Sequence, residues 1–86
     1  QSEGSELYIK PASYYFDFND NESITIPYGE CVQAARLRNE VILGVQIHTD
    51  QNNKENMFGI ALIPNKDDEF TLSTNDGLIA LAEDET

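Results

Sequence analysis

Cys31, His48 and Asp50 are the residues from which this chain would assemble a nucleophile, a base and an orienting acid. A thiol attacks as its thiolate, so such a set needs Cys31 exposed and electropositive, beside an imidazole. The surrounding pattern points elsewhere. Tyr28, Cys31, Val32 and Ala35 recur at helical spacing as one apolar stripe, which makes the thiol a packing group. His48 ends an apolar strand beside a polar loop, the place of a solvated edge residue. With one Cys and one His, and with no glycine-rich phosphate loop, Walker motif or Gly-x-Ser-x-Gly elbow, the chain reads as non-enzymatic.

Carboxylates offer a second chemistry. Asp17, Asn19 and Asn21 have the alternate spacing that opens a calcium loop, but Glu22 stands where a sharp-turning Gly is required. The twelfth position is Tyr28 rather than Glu, so this is not an EF-hand. Asp67-Asp68-Glu69 sets three acids on a turn, and Glu83-Asp84-Glu85 sets three more at the tail. Such runs are ordinarily solvated. Asp67, Asp68 and Glu69 are nevertheless the best candidates for a divalent cation such as Ca2+, with a second chain completing the shell.

The 86 residues make one domain with a modest core, and the 40% of hydrophobic residues fall in discrete runs that argue against disorder. Sixteen acids against five Lys and Arg give a net charge of −11, which disfavours binding to nucleic acid phosphates. The same charge suits an acidic interaction protein that occupies a basic groove by imitating nucleic acid, although the acids lie in loops rather than in a row along one helix. A single Cys excludes an internal disulfide and a Cys-based zinc cluster, and suits a reducing compartment. No run approaches the ~20 apolar residues of a membrane span. The first residue is Gln rather than Met, and the expectation is of a fragment excised from a larger chain.

The elements that must position these residues are short. Leu7-Tyr8-Ile9 reads as a strand stopped by Lys10-Pro11, and Ala12 to Phe18 as either a strand or a turn of helix. Residues 19–23 are a loop by composition. A helix is predicted from Pro27 to Arg38, with Glu30 and Arg36 suiting its dipole and Asn39 as a left-handed cap. Val41, Leu43, Val45 and Ile47 then alternate with Ile42, Gly44, Gln46 and His48 as a strand with one apolar face. After the polar loop 49–56, strands are predicted over Phe58–Ile63, Phe70–Leu72 and Leu78–Ala82, with turns at Lys66–Glu69 and Ser73–Gly77. The fold class is therefore α+β: one helix packed on a small, largely antiparallel sheet.

Three stretches, GSELYIKPA (Gly4–Ala12), VQAARLRNEVILGVQ (Val32–Gln46) and NDGLIALAED (Asn75–Asp84), resemble the C-terminal lobe of regulator of K+ conductance (RCK) domains. The similarity is closest to the branch in prokaryotic ligand-gated potassium channels and the plant CASTOR/POLLUX channels. Asn39 and Asn75 stand where that family tends to have Gly, and Pro64-Asn65 reverses its usual Asn-Pro. The resemblance implies a single regulatory lobe over residues 1–86, on the cytoplasmic side of the membrane, cut from a chain that also carries a Rossmann-like lobe and a pore. It implies allosteric control of a potassium channel or uptake protein, with dimers or rings of lobes shifted by a ligand. The family's nucleotide fingerprint lies in the other lobe and cannot be carried onto this chain. Of the apolar strand faces, Val41/Leu43/Val45/Ile47 and Phe58/Ile60/Leu62 are assigned mainly to the core, because so small a chain has few other residues to bury. Ile42 and Ile63, on the opposite faces, are the expected interface residues.

Overall fold

The computed structural model describes residues 5–19 and 22–83. Residues 1–4, Asn21 of the calcium-like spacing, and Asp84 and Glu85 of the acidic tail lie outside them; the polar stretch 1–6 read as a lead-in gives Ser5 and Glu6 to the first strand. Among the described residues the chain is α+β: one α-helix, a four-stranded antiparallel sheet and a two-stranded one. The strands are β1 (Ser5–Pro11), β2 (Ser23–Pro27), β3 (Val41–Gln46), β4 (Ile60–Leu62), β5 (Glu69–Ser73) and β6 (Gly77–Glu83); the helix α1 is Tyr28–Arg36. Among the described residues no helix is long and apolar enough to cross a membrane.

The larger sheet runs β1-β6-β3-β4 and the smaller pairs β2 with β5. β6 is flanked on both sides, which is why Leu78–Ala82 is a continuous apolar run rather than an alternating one. β1 is an edge strand, so Pro11 ends it without removing a needed ladder donor. β2 was not foreseen. Its Ile24-Thr25-Ile26 is too short to show a period and gains its identity only by pairing with β5, where the Thr25 and Thr71 hydroxyls lie 2.8 Å apart.

The helix begins one residue later than expected, with Pro27 extended at the N-cap. No side chain caps it there. Instead the Tyr28 and Gly29 N–H groups donate to the Asp68 and Lys66 carbonyls, at 2.7 and 2.9 Å. The turn before β5 is thus the helix cap. A Cβ on Gly29 would stand 3.3 Å from the Lys66 oxygen, so glycine admits this close approach. The helix stops at Arg36, two residues short of the expected Arg38, and a turn leads to Asn39, which takes the predicted left-handed conformation with φ of 61°. Asn39 N–H donates to Arg36 and Glu40 N–H to Ala35, both at 3.0 Å, a Schellman closure that turns the chain sharply into β3.

The stripe Tyr28, Cys31 and Ala35 packs against Ala12, Ile42, Val45, Leu72, Leu78 and Ala80. In β3 the expected alternation fails. Ile42 and Val45 are both core residues, three apart, whereas Val41 is exposed. The cause is a register shift: Ile42 pairs with Ala80 and Gly44 with the adjacent Ile79, so Leu43 is an extra residue that reverses the faces. Ile42 is therefore core, at 5% exposure, and not the surface residue expected at an interface. The Tyr28 hydroxyl donates to the Ile42 carbonyl at 2.9 Å, and Ile63 N–H donates to the Leu43 carbonyl, so the bulge is pinned from both sides.

The predicted strand Phe58–Ile63 shrinks to Ile60–Leu62. Met57 and Phe58 take positive φ, 55° and 59°, within a kinked 3-10 segment (Lys54–Gly59), and Ile63 at φ of 47° ends the strand. Ala12 to Phe18 becomes a short 3-10 turn (Ala12–Tyr14) followed by irregular chain. Asn75 does not adopt positive φ. The turn before β6 is closed by Asp76, whose carboxylate accepts from Ser73 N–H at 2.8 Å and from His48 N–H at 2.7 Å.

Candidate interaction surface

Because Leu78, Ala80, Ile42 and Val45 face the helix, alternation turns their neighbours to the opposite side of the large sheet. Directly opposed residues share a face, so beyond the edge pair Ser5 and Glu83 three rows cross it. Leu7, Leu81 and Val41 form the first, and Ile9, Ile79, Gly44 and Leu62 the second. Pro11, Gly77, Gln46 and Ile60 form the third. Leu7, Ile9, Val41 and Leu62 are 61%, 57%, 56% and 63% exposed, while Ile79 between them is buried. No described element covers this face, and Gln46 is the one polar side chain in these three rows. None of the sixteen acids lies in these three rows, and Glu83, opposite Ser5, holds the next register position on the same face. At Gly44 a Cβ would sit 2.3 Å from the Ala61 carbonyl oxygen, so glycine is what lets β4 close against the bulged strand. Met57, Phe58 and Ile63, all exposed, continue apolar surface past the two ends of β4.

Of the expected interface pair, Ile63 is exposed at 69% and Ile42 is not. The exposed apolar residues Leu7 and Ile9 were missed as a pair. Their alternation was visible, but which face a helix would cover was not.

The acidic candidates do not converge. Asp67, Asp68 and Glu69 are exposed along the turn that caps α1, and an Asp68 oxygen accepts from Asn65 N–H at 3.1 Å. Among the described residues no three His, Cys, Asp or Glu side chains gather as metal ligands. Acids here suit the positive end of the helix dipole, which gives the run a structural use.

The nucleophile set is likewise not assembled. Cys31 has no exposure, and burial, with the Glu30 charge nearby, pushes its thiol up to about 11. His48 and Asp50 lie instead in a 3-10 turn (His48–Asp50) where His48 is exposed.

A polar cluster that the sequence did not reveal joins β1 to the residue after the helix. The Glu40 side chain is 3% exposed and accepts from Lys10 Nζ at 2.7 Å, Tyr15 Oη at 2.6 Å and Tyr14 Oη at 3.5 Å. The Tyr14 ring lies within 4.4 Å of Lys10 Nζ and 4.5 Å of the Arg38 guanidinium carbon. Burial alone would raise the Glu40 carboxyl, but the hydrogen bonds from Lys10 and Tyr15 and the charges of Lys10 and Arg38 hold it below the usual range. For Lys10, burial pulls the ammonium down and Glu40 more than reverses it. Burial, and then the bond to Glu40, keeps the Tyr15 phenol protonated well above its ordinary range. No buried side-chain nitrogen or oxygen among the described residues lacks a partner, so the cluster reads as a bolt between β1 and the helix end.

Compared with protein-family models and with curated proteins, the chain matches none.

Proposed function

We propose that this chain is an RCK-type regulatory lobe, acting on the cytoplasmic side of a membrane to control potassium flux through a channel or uptake protein. The observation that carries the reading is where the three resembling stretches fall. Residues 4–12, 32–46 and 75–84 supply β1, the second half of α1 with β3, and β6. These are three adjoining strands of one sheet and the helix packed on it. The resemblance thus follows a contiguous piece of architecture instead of unrelated surface segments. Such a lobe does no chemistry. It changes how copies sit against one another, and a ligand moves that balance only as far as its affinity differs between the two arrangements.

The test is genetic and physiological. The encoding reading frame, followed upstream, should specify a Gly-x-Gly-x-x-Gly unit and a pore. Cells that depend on the full-length protein for potassium uptake should lose regulation when this lobe is deleted. A frame with neither unit, or uptake indifferent to the deletion, would end the proposal.

A further inference from the structure

We infer that residues 47–63 are a two-state element: the short β4 exchanges with a longer strand, from Met57 to Ile63, paired with β3 lengthened as far as Thr49. This switch is distinct from the regulatory role proposed above and does not rest on it. Backbone strain is its first sign. Met57, Phe58 and Gly59 are three consecutive left-handed residues, with φ of 55°, 59° and 77°, and Ile63 follows at 47°. Glycine takes this conformation freely, whereas Met, Phe and above all β-branched Ile do not. Pro64 adds to the conflict, because a residue before proline is pushed toward extended backbone. Strain of this kind persists where the surroundings over-determine it. Met57, Phe58 and Ile63 are 67%, 47% and 69% exposed, so burial offsets little of it.

The relaxed alternative is already half built. In the β3–β4 ladder Gly44 faces Leu62, Val45 faces Ala61 and Gln46 faces Ile60. The same register continues at both ends. Ile63 N–H donates to the Leu43 carbonyl at 2.9 Å, and Ile47 N–H to the Gly59 carbonyl at 2.8 Å. Hydrogen-bonded pairs recur at every second position of an antiparallel ladder, so the next is Thr49 with Met57. Reaching it requires Met57 and Phe58 to become extended, the region where bulky side chains are unstrained, and the turn at His48–Asp50 to open.

A set of hydrogen bonds holds the short form. The Asp76 carboxylate accepts from His48 N–H at 2.7 Å and so ends β3 early. The Asn53 carbonyl accepts from Asn56 and Phe58 N–H at 3.1 and 2.8 Å, and its side chain accepts from Glu55 N–H at 3.0 Å. Gln46 Nε2 donates to the Phe58 carbonyl at 3.4 Å. Each such bond contributes modestly, and strain at three residues opposes them on the same scale. The longer strand is therefore expected as a minor form, populated at about 0.1–10%. In it Phe58 stands opposite His48 and, two residues from Ile60, on the outer face of the large sheet. The switch thus adds an aromatic ring to the apolar rows of that face.

Relaxation-dispersion and saturation-transfer NMR of the isotope-labelled chain read exchange on the μs–ms scale directly. The expected result is exchange confined to residues 47–63, with minor-form carbon shifts of Met57 and Phe58 at strand values. Met57→Gly/Phe58→Gly removes the left-handed penalty and should lower the minor population at least about ten-fold. Phe58→Val, β-branched and suited to a strand, should raise it several-fold. The unaltered chain supplies the first readout, so refutation does not depend on either variant folding. Absence of exchange in this segment, minor-form shifts at random-coil values as for a fraying end, or a population unmoved by the two glycines would each overturn the inference. The upstream frame and the uptake phenotype are independent of all three.

Discussion

Lys10→Met tests whether the Glu40 cluster is a bolt. The substitution keeps an unbranched apolar stem but removes the ammonium 2.7 Å from a carboxylate whose side chain is 3% exposed. Breaking a fully buried ion pair from one side costs about 3–5 kcal/mol, because the remaining charge is left without its partner. Two features lower the figure here. Lys10 keeps 16% exposure, so part of its attraction was already screened, and Tyr15, Tyr14 and Arg38 stay beside Glu40. A loss of about 2–3 kcal/mol is expected, or a fall in Tm of about 10–20 °C for a domain of this size. Urea unfolding followed by circular dichroism should show a lower midpoint at an unchanged slope.

The pH dependence supplies a second readout. In the native protein the Glu40 carboxyl is depressed, so its contribution is present above the unfolded value of about 4.3 and is lost as pH falls through the lower folded value. In Lys10→Met, burial pushes the same carboxyl up, and its penalty is relieved as acid protonates it. The gap between the two proteins should therefore narrow from pH 7 toward pH 4. Lys10→Met/Glu40→Gln should recover most of the loss, since removing both charges leaves no orphan. A single variant within about 0.5 kcal/mol of the native protein, as for an exposed lysine, or a double variant no better than the single, would refute the reasoning.

Gly44→Ala should destabilise by about 1–3 kcal/mol, since the added methyl meets the Ala61 carbonyl at 2.3 Å and β4 must move; hydrogen exchange should quicken first in Ile60–Leu62. Cys31, fully buried with its thiol raised to about 11, should react with a disulfide reagent at pH 8 only as fast as the molecule opens, and the rate should jump in urea. Alanine at Asp67, Asp68 and Glu69 together should cost about 1 kcal/mol through the helix end and the Asn65 turn, and leave a calorimetric calcium titration unchanged. A lost calcium signal would show that the turn does bind the ion.

The parts legible in the sequence were those that local chemistry decides. The helix stripe, its dipole charges and the left-handed Asn39 all depend on residues within one or two turns of each other. β6 was readable because a central strand announces itself as an apolar run. The face assignment of β3 was not, because the inserted Leu43 looks in sequence like any other alternating residue. Only the pairing of Ile42 and Gly44 with the adjacent Ala80 and Ile79 exposes it. That single residue exchanged the roles of Val41 and Ile42, and with them the guess at the interaction surface. Glu40 was missed for a related reason. Its three donors come from residues 10 to 15, some 25 to 30 positions away, and no local signal marks an acid after a helix as buried.

β6 lies between β1 and β3, the first described strand and the one that follows the helix. β1 has no partner in the sheet until residues 77–83 have left the ribosome, so it waits with an unpaired edge while the residues between them are made. The hairpin of β3 and β4 forms locally, yet without β6 its inner face has no sheet to join. Folding must therefore be late and concerted, governed by closing the longest loop in the molecule, and slower than the small size suggests. A truncation that removes β6 would leave no smaller version of the fold, but two apolar strands open to any chain that can pair with them.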